Sequence, residues 1–190
     1  MLSCAPVMPE KSESKLTIGI WNQFPEAPNY IRKQTFVFRH NVAGYDTKDF
    51  KQVLTRSAGE YLTSKGYNII EIQDKAALDN GRADMIVQIL PMDIFKHEGT
   101  LGYGFYDRKI LGFLIKQPAR SYVCMNMILH KKGSLKVKRT GRQENFSRLK
   151  NKELPDSPDQ LSEEQKKEMS LNLDNTIKAT VLKALSILGL

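Results

Sequence analysis

The chain has 190 residues, 41% of them hydrophobic and 26% charged. That suits one globular domain with extensions, large enough to bury a core without metals or disulfide staples. The formal net charge of +8 favours association with anionic surfaces such as phosphate-rich lipid, acidic glycans or nucleic acid, and says nothing about fold. Two cysteines, Cys4 and Cys124, cannot build a disulfide-dense scaffold. No stretch approaches the ~20 apolar residues of a spanning helix.

In chain order, Cys4 stands almost at the start, and "APVMPEKSESK" (5–15) follows it with Pro6, Pro9 and mixed charge. That is the composition of an extended, solvated tether, so residues 1–14 are read as a tag and tether, and 15–190 as a single α/β domain. "KLTIGIW" (15–21) alternates as a strand, with Leu16, Ile18 and Ile20 on one face and Thr17, Gly19 and Trp21 on the other. Pro25 and Pro28 punctuate a loop. "KQTFVFRH" (33–40) reads as a second strand, with Phe36 and Phe38 sharing a face.

Asp46 or Thr47 then offers an N-cap. Phe50, Leu54, Ala58 and Tyr61 recur at helical spacing, with Val53 and Leu62 beside them. Gly66 sits where a left-handed residue would close that helix, and Tyr67 follows as its apolar partner. "YNIIEI" (67–72) continues as a strand, "DKAALDNG" (74–81) as a short helix closed by Gly81, and "ADMIVQILPMDIFKHE" (83–98) as a long strand. Pro91 within it implies a bulge or an edge position. The glycine- and aromatic-rich 99–113 reads as a flexible or strand-like excursion, with Tyr103, Phe105 and Tyr106 as an exposed contact patch. "ARSYVCMNMILHKKGSLKVKRTGRQE" (119–144) reads as a β-hairpin turning near Lys131–Ser134. Inside its apolar run, Cys124 is expected to be a buried thiol. Residues 145–157 read as irregular. The end is helical: Leu173, Ile177, Val181, Leu185 and Leu188 make a stripe after acidic Glu163 and Glu164. The expected fold is a two-layer α/β (α+β) sandwich, a mixed or antiparallel sheet with a long hairpin, packed by two main helices.

No catalytic motif emerges. "GYGFYD" lacks the third glycine and the following helix of a dinucleotide loop. His40, His97 and His130 have no metal-ligand spacing, so neither metal nor cofactor is expected. An enzyme site assembled from His97, Asp107 and Tyr106 has no pattern behind it, and no enzymatic activity is expected. "NFS" (145–147) is formally a glycosylation sequon, relevant only in a eukaryotic secretory setting. The strongest compositional signal is basic. Lys131, Lys132, Lys136, Lys138, Arg139 and Arg142 crowd one hairpin, and Arg148, Lys150 and Lys152 follow. A nucleic-acid arm through 131–152 is the alternative function. Against it, Lys136 and Lys138 share an outer strand face, and Phe146 is the one aromatic among them. Anionic lipid headgroups or acidic glycans suit the charge without aromatics.

The helix and strand of "FKQVLTRSAGEYLTSKGYNIIEI" (50–72), then "ADMIVQILPMDIF" (83–95), the hairpin around "SYVCMNMILHKKGSLKVKR" (121–139) and the final helix together resemble a known layout. It is that of small bacterial envelope lipoproteins of the YajG type, and of the neuraminyllactose-binding hemagglutinin lipoproteins. The resemblance covers residues 15–190 as architecture. It implies a two-layer α/β sandwich with no enzymatic activity, anchored by lipid on Cys4 to a membrane, the outer one by expectation, and binding an envelope protein or a glycan. The processing box of such proteins has leucine three residues before the cysteine. Here that position is Met1, with Leu2 and Ser3 following, so lipidation requires an apolar leader ahead of Met1.

Overall fold

The computed structural model of the chain describes residues 15–25, 31–34, 38–43, 50–93, 102–110, 115–150, 154 and 158–190, with 31–34, 38–43, 108–110, 115–117 and 158 described in their backbone alone. The elements are β1 (Thr17–Asn22), β2 (Ile31–Gln34), β3 (Phe38–Ala43), α1 (Phe50–Ser64), β4 (Asn68–Glu71), α2 (Ala76–Asp79), β5 (Met85–Pro91), β6 (Tyr103–Ile110), β7 (Ile115–Lys131), β8 (Lys138–Arg139), β9 (Gln143–Arg148) and α3 (Glu163–Leu188). They form a mixed α+β sandwich. Among the described residues nine strands form one sheet that runs β2-β3-β6-β7-β5-β1-β4, with β8 and β9 also paired to β7. β1 is parallel to β4 and β5, and the other pairs are antiparallel.

β7 is the spine. Arg120–Val123 pair with both β6 and β9, and Met125 pairs with both β5 and β9. A strand has two edges, so β6 and β5 lie end to end along one edge of β7, and β9 and β8 along the other. The two branches meet at Cys124: its N–H donates to the Gly102 carbonyl (2.7 Å), and its carbonyl accepts from the Met92 N–H (3.0 Å). Gly102 N–H in turn donates to the Met92 carbonyl (3.0 Å).

The period-2 pattern decides which face is buried by helices. Ile18, Ile20, Val87, Ile89, Val123, Met125, Met127 and Leu129 point to one side, where they meet Leu54, Ala58 and Leu62 of α1 and Ile177, Val181 and Leu185 of α3. Every residue of the C-terminal stripe is buried. Burying one such aliphatic side chain is worth about 1.5–3 kcal/mol, so this stripe holds α3 far more firmly than helix propensity could. Polar ties add direction. The Ser121 and Thr176 hydroxyls stand 2.6 Å apart, Ser121 Oγ donates to Asn172 Oδ1 (2.5 Å), and Asn172 Nδ2 donates to the Arg148 carbonyl (3.2 Å). On the opposite face, Ile86, Ile72, Ala77 and Ala83 cluster with Trp21, Ile70 and Leu78.

Both helix ends follow local chemistry. After α1, Gly66 adopts φ 91°, Tyr67 N–H donates to the Leu62 carbonyl (3.2 Å) and Gly66 N–H to Thr63 (2.9 Å). That is the Schellman pattern expected there. α3 opens with a reciprocal cap between Ser162 and Gln165.

Several elements differ from the sequence expectation. The run 33–40 is not one strand: it spans the end of β2 and the start of β3, which pair antiparallel through Gln34↔Arg39. Phe36 and the N-cap residues Asp46 and Thr47 lie outside the described residues. Residues 143–148 form β9, where the sequence reads as irregular from 145, because the backbone pairs with β7 and alternate side chains there turn toward α3. β7 begins at Ile115, earlier than the hairpin expected at 119. Pro91 closes β5 at a local edge. Ile89 accepts from Gln23 on the β1 side (2.9 Å) and Met92 donates to β7, so the donor that Pro91 lacks would face past the end of β1.

Candidate functional site

Among the described strands β4 is the outermost on one side of the sheet. Asn68 N–H donates to Leu16 (2.9 Å) and Ile72 N–H to Ile20 (3.0 Å). N–H and C=O groups alternate sides along a strand, so those of Ile69 and Glu71 face away from β1 and have no partner among the described residues. Beside this free edge runs an open groove of about 940 Å³ between β4 and α1. Ile20, Ile69 and Gly59 form its floor, and Lys51, Gln52, Arg56, Glu60 and Glu71 its rim. Gly59 brings the helix close to the sheet: a Cβ there would stand 3.7 Å from Ile69 and 3.8 Å from Ile20. Asn22 fixes one end of the groove. Its Nδ2 donates to the Lys51 carbonyl (3.0 Å) and the Thr55 hydroxyl (2.9 Å), and its Oδ1 accepts from Phe24 N–H (3.0 Å).

The expected aromatic patch is not on the surface. Tyr103 and Phe105 are each 1% exposed, and only Tyr106 is half-buried. The cause is strand parity: Tyr103 and Phe105 point to the helix side, where Tyr103 stacks on Phe50 at 3.2 Å between ring centroids. Tyr106 points the other way, to Tyr122, Cys124 and Met92, and its ring lies 6.4 Å from that of Phe146. Asp107 is buried as well, its Oδ2 accepting from Leu154 N–H (2.9 Å).

The six basic residues of the hairpin do not share one face. Lys131, Lys132, Lys136, Lys138 and Arg139 are all exposed, but Lys131 ends β7 opposite Met85 and pairing resumes only at Lys138, so Lys136 sits in the connection between β7 and β8 rather than on a strand face. Lys138 pairs with Leu129 on the helix side, and Arg139 pairs with Ile128 on the opposite side. Arg142 is held by Glu144 in a 2.8 Å ion pair, a bond that raises its pKa further. The phosphate stripe expected of a nucleic-acid arm is therefore divided between two faces. Cys4 and His97 lie outside the described residues, and for His40 only the backbone is described.

Cys124 is buried and unbridged, as expected of a core thiol, with its pKa pushed up to about 11 chiefly by that burial. Burial also raises the neighbouring Tyr122 hydroxyl well above its usual value. Among the described residues no group of His, Cys, Asp and Glu has an arrangement that could hold a metal ion. Nor is any helix among them long and apolar enough to cross a membrane.

His130 is 7% exposed, with Nε2 2.9 Å from Gln88 Oε1, while Gln88 Nε2 donates to Gln23 Oε1 (2.7 Å). With that amide oriented as an acceptor, Nε2 carries the ring proton. Burial lowers the His130 pKa from 6.5, and Lys75 and Arg139 lower it further. The unfolded chain then binds the extra proton more readily, so this residue's stabilising contribution is complete above the unfolded pKa and is lost as pH falls through the folded one. The urea midpoint is expected to drop between about pH 7.5 and about pH 5.5, and the drop should shrink in His130→Gln. An equal drop in both proteins would assign it to other groups.

Comparison of the chain with protein-family models, with curated proteins and with solved structures finds no match.

The groove and its rim escape a reading of the sequence because they combine residues 20 and 22 with residues 51–64 and 69–73. One signal pointed there: Gly59 in mid-helix costs about 1 kcal/mol against alanine and marks a close approach of helix and sheet.

Proposed function

We propose that this chain is a non-enzymatic binding domain of the bacterial cell envelope. Lipid on Cys4 holds it at a membrane, the outer one on the resemblance above, and residues 5–15 tether it. Its protein partner enters as an extended segment laid along β4 beneath α1. The observation that carries the binding mode is the free backbone edge of Ile69 and Glu71 opening into a groove with an apolar floor. An added strand would satisfy those groups and set alternate side chains over Gly59 and Ile69, with hydrogen bonds giving affinity and the groove giving selectivity. A glycan would use the polar rim instead and leave the strand edge alone.

Selection of random peptides on the full chain is expected to enrich sequences with apolar residues at alternate positions. Their binding should slow amide exchange at Ile69 and Glu71. Glu71→Pro removes an outward N–H and spares those facing β1. It should weaken binding about tenfold while leaving the circular dichroism native. Peptides that bind Glu71→Pro as well as the parent would overturn the strand-addition reading. The anchor is tested separately: mass spectrometry of the N-terminal peptide, from protein purified out of its own cells, is expected to find acyl chains on Cys4. A free thiol there would refute anchoring.

A further inference from the structure

One end of the sheet gathers features that lie far apart in the chain. Thr17 N–H donates to Asp84 Oδ2 (2.8 Å), Asp84 N–H to the Thr17 carbonyl (2.9 Å), and Lys132 N–H to the Asp84 carbonyl (3.0 Å). The start of β1, where residues 1–14 join the domain, therefore shares this end with the start of β5 and the β7–β8 turn. The helices finish here as well. Asn68, just past α1, bonds to Leu16, and the Tyr61 hydroxyl of α1 donates to the Leu190 carbonyl beyond α3 (3.2 Å).

The surface so assembled is basic. Lys15, Lys65 and Arg82 are exposed at the ends of three elements, and Lys131, Lys132 and Lys136 are exposed around the turn. None of these six forms an ion pair among the described residues. Lys138 adds to them beside the end of α3, where a Cβ on Gly189 would lie 3.3 Å from its Nζ. Of the adjoining carboxylates, Asp84 is engaged by Thr17, and Asp79 on α2 is exposed. The α1 and α3 C-termini bring partial negative charge of about half a unit each, which these cations outweigh.

Apolar side chains stand out of this basic surface. Leu135, at the turn, is 103% exposed, Leu16 is 52% exposed and Val137 is 38% exposed. The turn carries no aromatic ring on which a base could stack. Leucine held out among lysines gains nothing from water, whereas the boundary between headgroups and acyl chains accommodates both at once.

The geometry points to an anionic phospholipid surface as the occupant of this end, with Leu135 entering the acyl boundary and the lysines meeting the headgroups. The contact is independent of the peptide reading at β4, whose edge lies along the side of the sheet, and it needs no acyl group on Cys4. With Cys4 acylated, the domain would sit end-on at the membrane to which its tether reaches.

The test uses the full chain without acylation, co-sedimented with vesicles of phosphatidylcholine alone or mixed with phosphatidylglycerol. Binding is expected to the mixed vesicles only, and to fall steeply as salt is raised. Leu135→Ser should weaken it roughly tenfold. Replacing Lys131, Lys132 and Lys136 together by Gln should weaken it on the order of a hundredfold, about fivefold for each lysine. Lys150→Gln, at the opposite end of the sheet, should leave it unchanged. No binding to the mixed vesicles, or equal binding to phosphatidylcholine alone, would overturn the inference. So would tighter binding to single-stranded DNA with Leu135→Ser neutral, an outcome that makes this end a nucleic-acid surface.

Discussion

Gly102→Ala is expected to lower the stability of this domain by about 2–4 kcal/mol, the sum of a strained backbone and an overpacked core. Gly102 has φ +81°, a conformation that L side chains rarely adopt, and an added Cβ would collide with the ring of Phe24 and stand 3.1 Å from Pro91 Cβ. Neither neighbour yields easily. Phe24 is wedged against Phe50 and Tyr103, with ring centroids 5.4 and 6.0 Å away, and Pro91 ends β5. Moving Gly102 instead would disturb its bonds to Met92 and Cys124, where the two branches of the sheet meet on β7. Urea denaturation should therefore show a lower midpoint with an unchanged slope.

A second substitution separates the two causes. Phe24→Ala alone should cost about 3–5 kcal/mol. In that background the collision with the ring is relieved, and Gly102→Ala should then cost only the backbone part and the tight approach to Pro91, about 1–2 kcal/mol. The couple is thus strongly non-additive. If the two substitutions simply added, the close approach to Phe24 would not be the source of the loss.

That junction also marks where the sequence stops being legible. α1, its Gly66 closure and the buried stripe of α3 can be read directly, because periodicity and capping are local. The alternation of Ile18 and Ile20 against Gly19 and Trp21 likewise appears as two clusters on opposite faces. Tyr103 and Phe105 could not be placed so. Glycine and aromatic residues occur both in exposed bends and in packed strands, and only the register Tyr103↔Val123 decides that these rings face α1. The run 33–40 contains nothing that breaks a strand by composition, so the passage from β2 to β3 does not announce itself. The Ser162–Gln165 cap is, by contrast, a sequence signature and extends the reading of α3 to its first turn. The basic residues were visible as a group, but the division of Lys138 from Arg139 depends on pairing with Leu129 and Ile128. Their company with Lys15 and Leu16 arises from Asp84, which no spacing reveals.

Ile177→Ala should cost about 2–5 kcal/mol, and it tests whether residues 15–190 fold as one unit. Ile177 is fully buried in the layer where α3 packs on α1 and β7. Its neighbour Thr176, and Asn172 one turn earlier, are tied across to Ser121 of β7, at 2.6 and 2.5 Å, so the helix cannot easily slide to fill the space. Leu171→Ala on the same helix, at a side chain 62% exposed, should change stability by no more than about 0.5 kcal/mol. Trp21 is the chain's one tryptophan and lies on the opposite face, with Ile70 and Leu78. Its fluorescence therefore reports a region that Ile177 does not touch, while far-ultraviolet circular dichroism is dominated by α1 and α3. Because β7 joins both branches of the sheet and carries α3, the two signals should shift together and trace one transition. A Trp21 transition left in place while the helical signal moves would divide the domain at β7.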